Sequence, residues 1–140
     1  MSEPQLQLKL FPGWQVAENP EGPATYYREA TKSGALQFSM AQHRGGQEPY
    51  VIEQDLLRIA HNVATSGDGA EILDSLTGTC AFGRFGAVSA RAPNAFIWVW
   101  VLTNSRDFIL ATYTSTQVPD RQEFAEAEEI VLAATLGAKS

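Results

Sequence analysis

Few residues in this chain have the chemistry for catalysis, and their spacing decides what each implies. Cys80 sits in "GTCAFG", and His43 and His61 are the only histidines. A thiolate nucleophile needs a base beside it, so pairing Cys80 with one of those histidines is the one enzymatic reading the sequence offers. Free cysteine is also a common small core hydrophobe, and packing is the expected role of Cys80. Neither histidine lies in an HExxH or comparable ligand pattern, so no metal site and no general base is expected at either. His43 is expected to face solvent, and His61 suits a place late in a helix, where the macrodipole favours a cation.

The glycines of "GDG", Gly67 to Gly69, and of "GRFG", Gly83 to Gly86, invite comparison with phosphate loops. There is no GxxxxGK[ST], and no GxGxxG that opens a helix after a strand. Turn, bulge and close-approach roles are expected instead, and no cofactor is implied. The acidic run "EFAEAEEI" offers Glu123, Glu126, Glu128 and Glu129. Paired catalytic carboxylates must face one cleft, whereas successive helical positions spread around the axis, so a solvated helix face is expected here.

The aromatic residues are more informative. In "NAFIWVWVLTNSRDFILATYT", Asn94 to Thr114, the side chains of Phe96, Trp98, Trp100 and Leu102 alternate with those of Ile97, Val99 and Val101. Both faces of this hairpin are apolar. Leaving two tryptophans bare would forfeit roughly 7–12 kcal/mol, at about 25 cal/mol per Å² over about 150–250 Å² each. The whole stability of a domain is about 5–15 kcal/mol, so the protein is expected to cover most of that face itself. Phe124 and Val131 of the last helix are the natural cover. The functional alternative is a partly open aromatic groove for a partner, with Trp98, Trp100, Phe96, Phe38 and Met40 as its candidate residues. Sheet edges are the other route to binding.

The rest of the chain sets the frame for these residues. Its 140 residues, 44% apolar and 19% charged, are expected to form one domain, 1–140, around one core. A formal charge of −6 repels phosphate backbones and anionic lipid, so neither nucleic acid nor a membrane is an expected partner. One cysteine forms no internal disulfide, and the start "MSEPQLQLKLFPGW" lacks the basic and apolar regions of a signal peptide. A reducing, cytoplasmic setting is expected.

Period-two patterns mark strands at Leu6, Leu8 and Leu10 up to "FPG", at "WQVAE", at "ATYYREA", and at "GALQFSMAQHR", where Leu36, Phe38 and Met40 share a face. Ile52, Leu56, Ile59 and Val63 then fall at helical spacing after Pro49, and "SGDG" stops the pattern. Two glycine-containing strand segments span Glu71 to Ala92, followed by the aromatic hairpin with its "TNSRD" connection. A second helix is expected from Pro119 at its first position, with Phe124, Ala127, Val131 and Ala134 on one stripe and Gly137 as the stop. The fold class is α+β: a mainly antiparallel sheet of about six to seven strands with helices packed on its faces, a three-layer α/β/α sandwich.

"LFPGW" near the start, the strand–helix–strand order, the hairpin running into "ATYT" and the helix bearing "EFAEAEEIVLAAT" resemble the PsbP-like family. That family includes the photosystem II extrinsic subunit P, an import factor that binds the Ran GTPase, and bacterial chaperones for transmembrane segments of type VI secretion effectors. The resemblance implies an antiparallel sheet between helices and an adaptor or chaperone-like role, and it transfers no catalytic residue. The absence of a signal segment argues against a lumenal photosynthetic role. The sequence therefore favours a bacterial, cytoplasmic, non-enzymatic module that binds another protein or a second copy of itself as a homodimer. An immunity-type inhibitor of a basic toxin, steered by charge, and a small enzyme using Cys80 are the alternatives.

Overall fold

A computed structural model describes residues 4–42, 52–66, 69–104 and 106–138. His43 and Pro49 lie outside these residues. Seven antiparallel strands form the main sheet: β2 (Trp14–Ala17), β3 (Thr25–Arg28), β4 (Gly34–Gln42), β5 (Glu71–Cys80), β6 (Gly83–Ala92), β7 (Ala95–Thr103) and β8 (Asp107–Ser115). Their spatial order is β2-β3-β4-β8-β7-β6-β5. Two meanders of sequence neighbours thus meet where β4 pairs with β8, from Gly34↔Ser115 to Gln42↔Asp107.

Strand alternation sorts the core into two clusters. Leu36, Phe38, Phe85, Ala87, Trp100, Leu102, Ile109, Ala111 and Tyr113 pack with Ala127, Ile130 and Val131 of α2 (Arg121–Leu132). Val88, Ala90, Val99 and Val101 pack with Leu56, Ala60 and Ala64 of α1 (Glu53–Ala64). The two apolar faces of the aromatic hairpin are therefore served by different helices. Removing each large aliphatic side chain from water contributes about 1.5–3 kcal/mol.

Local chemistry starts both helices. The Ile52 amide donates to Asp55 Oδ2 at 3.1 Å, the reciprocal half of a capping box, and the Asp120 carboxylate accepts from the Glu123 amide at 2.9 Å. Asp120 is the N-cap, so Pro119 precedes the helix instead of occupying its first position. The buried stripe of α1 is Leu56, Ala60 and Ala64, and Ile59 lies exposed beside it. Alanine lets this helix approach closely. A Cβ built on Gly86 of β6 would sit 2.8 Å from Leu56 Cβ and 3.0 Å from the Leu57 amide nitrogen. Gly83 has φ +146°, and a Cβ there would meet the Thr103 carbonyl oxygen at 2.4 Å. Close-approach and turn roles account for the "GRFG" glycines.

Two expectations for the ends of the chain are corrected. The leucine-rich start is a short strand, β1 (Pro4–Gln7), that stops before "FPG" and stays outside the main sheet. Its partner is β9 (Thr135–Ala138), paired from Pro4↔Ala138 to Gln7↔Thr135. Gly137 therefore lies within a strand and does not stop α2, which ends at Leu132. The Ala81 amide takes the Leu132 carbonyl at 3.0 Å, and Leu136 packs against the core. Tertiary partners, not a glycine cap, end this helix.

Candidate protein-binding surfaces

The aromatic face is largely closed by α2. Phe124 lies with its ring centroid 4.7 Å from Trp98, 5.7 Å from Tyr113 and 6.2 Å from Trp100. Trp100 is 2% exposed, and Phe38 is buried edge-on against Tyr26 at 5.8 Å. These two are core residues and offer no free surface. Trp98 and Phe96, stacked at 6.2 Å, remain half-buried, and Met40 is 47% exposed. The candidate residues are thus not one site: Trp98, with the buried Trp100 behind it, borders a groove beside α2, while Met40 borders a separate cleft on the β4 side.

That cleft follows from the placement of α1. The helix lies over β5, β6 and β7, leaving the β4–β8 half of its own face with no helix above it among the described residues. A depression of about 280 Å³ results, walled by Ile59 of α1 and floored by Val101, Phe108 and Leu110, with Ser39 and Met40 at its rim. Beyond Leu36 and Gln37, β4 has no outer neighbour among the described residues, since β3 pairs with it only there. An apolar recess thus adjoins an open backbone edge, which is the arrangement by which a sheet takes an extended segment.

The acidic run of α2 departs from the solvated face expected of it. Glu123 is fully buried, and Glu126 is half-buried. The Glu123 carboxylate accepts from the Ser33 and Gly34 amides at 3.0 and 2.8 Å, and from the Thr31 and Tyr113 hydroxyls. Burial, and then the Glu123 carboxylate, push the Tyr113 phenol far above its usual range. A carboxylate saturated by four donors is a structural clamp joining α2 to the β3–β4 turn and to β8, with no lone pair left for a substrate. Glu126 takes the Trp14 indole N–H at 2.9 Å and lies 3.4 Å from Arg28. The indole bond, with the Gln122 amide and Arg28 also contributing, holds its carboxyl below the usual range. Sequence reasoning missed this clamp, although Asp120 followed by Glu123 has the spacing of a capping box.

Catalytic constellations fare less well. Cys80 packs at the margin of the cluster beneath α2, whereas His61 is exposed on α1, which packs against the opposite face. Among the described residues no group of three His, Cys, Asp or Glu side chains is placed to hold a metal ion, and no helix is long and apolar enough to cross a membrane.

No protein-family model and no curated protein matches the chain. Solved structures do. LpqN of Mycobacterium tuberculosis, described as involved in cell envelope biogenesis, superposes with a TM-score of 0.68 at 10% identity, over 96% of this chain and 84% of its own. The cyanobacterial PsbP of Synechocystis sp. PCC 6803 superposes with a TM-score of 0.57 at 14% identity, over 94% of this chain and 92% of its own. At such identities the likeness is one of fold, and the fold this chain shares with both is the PsbP-like one.

Proposed function

We propose that this chain is a non-enzymatic, chaperone-like or adaptor module, a three-layer α/β/α sandwich that holds an apolar, extended segment of another protein. The apolar cleft beside the open edge of β4 carries this reading. Its floor of Val101, Phe108 and Leu110 is formed by strands, so it is pre-shaped, and its rim offers backbone groups for main-chain pairing. The cytoplasm is the proposed location, supported by a lone cysteine that forms no internal disulfide. Cell fractionation tests it, and recovery with the envelope would place the protein where LpqN is described as working.

Affinity capture from native lysate with the unaltered chain and with Ile59→Asp and Leu110→Asp variants tests the cleft. Ile59 is exposed and Leu110 half-buried, so Ile59→Asp in particular leaves the fold intact. A partner retained by the unaltered chain and lost from both variants is the expected result. A partner retained equally by all three would end the reading at this site. Sedimentation of the purified chain decides whether the captured partner is a second copy.

The formal charge of −6 favours one further reading, an immunity-type inhibitor that meets a basic toxin by charge steering. Its partner would bind more slowly as salt rises, whereas an apolar segment in the cleft would be almost indifferent to salt.

A further inference from the structure

The far end of the sheet carries a different surface. β5 is an edge strand of ten residues, bonded to β6 on one side and to no strand on the other among the described residues. Natural edges are commonly blunted by lysine, by proline or by shortness. "EILDSLTGTC" has neither residue and is long. Its blunting features, a bulge between Ile72 and Asp74 and the carboxylates of Glu71 and Asp74, lie at its start, and the register with β6 is regular from Asp74 to Cys80; Leu73 and Leu76 are 51% and 48% exposed.

Beside this edge, on the α2 side, the sheet sinks. Leu76 of β5 pairs with Ala87 of β6, which pairs with Trp100 of β7, and Asp74, Ser89 and Trp98 form the next row. Small side chains at Ala87 and Ser89 leave a trough of about 210 Å³ between the edge strand and the wall formed by Trp98 and Phe124. Glu128, one helical turn beyond Phe124, lines the same trough. Glu128 is half-buried, and its carboxylate has no hydrogen bond or ion pair among the described residues. Arg91, on the same face of β6, makes no ion pair with it. The Trp98 indole N–H is likewise unpartnered among the described residues. A half-buried carboxylate without a cation is matched by one brought by a partner.

We infer that β5 accepts an extended segment of a partner protein as an additional strand, and that an arginine or lysine of the segment reaches over Leu76 to the Glu128 carboxylate in the trough beside Trp98. Geometry selects the side chain. An added strand lies about 4.8 Å outside β5 and about 10 Å from β6, so only a long, unbranched side chain spans the gap to the trough. Of the long side chains, arginine and lysine alone bring the charge that Glu128 lacks, and the planar fork of arginine matches a carboxylate with two hydrogen bonds. The net charge of the chain draws a basic segment towards it. The inference rests on the reading of the chain as a protein-binding module, but not on the cleft beside Ile59.

The test uses synthetic strand-forming peptides of about ten residues, alike except for a central arginine, leucine or glutamate. Each is titrated into the isotope-labelled full chain while amide exchange is followed by NMR. Expected are protection of β5 amides and binding of the arginine peptide about tenfold tighter than of the glutamate peptide, the size of one hydrogen bond to a charged group. Glu128→Gln, at a half-buried groove position, should remove most of that preference without changing the melting temperature, and Ile59→Asp should leave it intact. Equal binding of the three peptides, a preference undiminished in Glu128→Gln, or no binding at millimolar peptide overturns the inference. If the peptides instead perturb Leu110 and Phe108 and leave β5 untouched, the inference fails while the protein-binding reading stands.

Discussion

The indole nitrogen of Trp14 and the carboxylate of Glu126 are joined by a 2.9 Å hydrogen bond, although 112 positions separate them in the chain. It ties β2, at one margin of the sheet, to a half-buried position of α2, and Arg28 at 3.4 Å supports the same carboxylate. The Glu126 carboxyl is held below its usual range, first by the indole, so its folded pKa lies below its unfolded one. Its contribution is therefore complete above the unfolded pKa, about 4.5, and is lost as pH falls through the lower folded value. Glu126→Gln is expected to lower stability by about 1 kcal/mol at neutral pH, and by less in acid. Urea unfolding at neutral and acidic pH measures the difference.

Glu123 should be far less replaceable. Glu123→Ala would leave the Ser33 and Gly34 amides and the Tyr113 hydroxyl without their acceptor in a buried site. A loss of at least about 3 kcal/mol is expected, since each buried unsatisfied donor costs about 1–3 kcal/mol. Denaturant midpoints at constant slope decide this.

Tyr113 gives an alkaline counterpart. Its phenol is raised by burial and by Glu123, so the stability it contributes is fully present below the unfolded value of about 10 and is lost as pH climbs beyond it. Tyr113→Phe is expected to be less stable than the parent near neutrality, by about 1–2 kcal/mol, and to lose less stability on going to alkali. Thermal melts across the alkaline range test the convergence of the two proteins.

Trp100 and Trp98 should separate cleanly. Trp100→Ala empties a fully enclosed position and is expected to remove about 3–5 kcal/mol. Trp98→Ala removes a half-buried ring that touches Phe124, and should destabilise less. Reversal of this order would place the groove wall, and not the core, at Trp100.

Gly86→Ala probes the other helix. The new methyl would press on Leu56 and the Leu57 backbone, forcing α1 away from the sheet at an expected cost of about 1–3 kcal/mol. Hydrogen exchange should show the loosening in α1 and not in α2.

The sequence showed the sheet well where period and partner coincide. The hairpin of β7 and β8, the meander strands and the position of α1 follow from alternation and helical spacing over neighbouring residues. What stayed hidden depends on distant partners. β9 is a strand because β1 lies beside it, and Glu123 is buried because donors from Thr31 to Gly34 and from Tyr113 converge on it. Ile59 seemed a core position because alanines carry little apolar signal, yet Ala60 and Ala64 form the stripe that lets α1 sit close. The open surfaces were half legible. Their aromatic residues stand out in the sequence, but both recesses exist because a helix stops short of one part of the sheet or because Ala87 and Ser89 are small.

The junction of β4 with β8 has a kinetic meaning. Each meander is built from neighbours in the chain and closes short loops, whereas the nine-residue ladder between Gly34 and Ser115 at one end and Gln42 and Asp107 at the other joins them only after a long loop has closed. Loop closure of that kind sets the pace of folding in sheets. The Glu123 clamp grips the turn before β4 and, through Tyr113, strand β8 itself, so it fastens this slow seam from above. Its lasting effect is on how seldom the two halves of the molecule come apart.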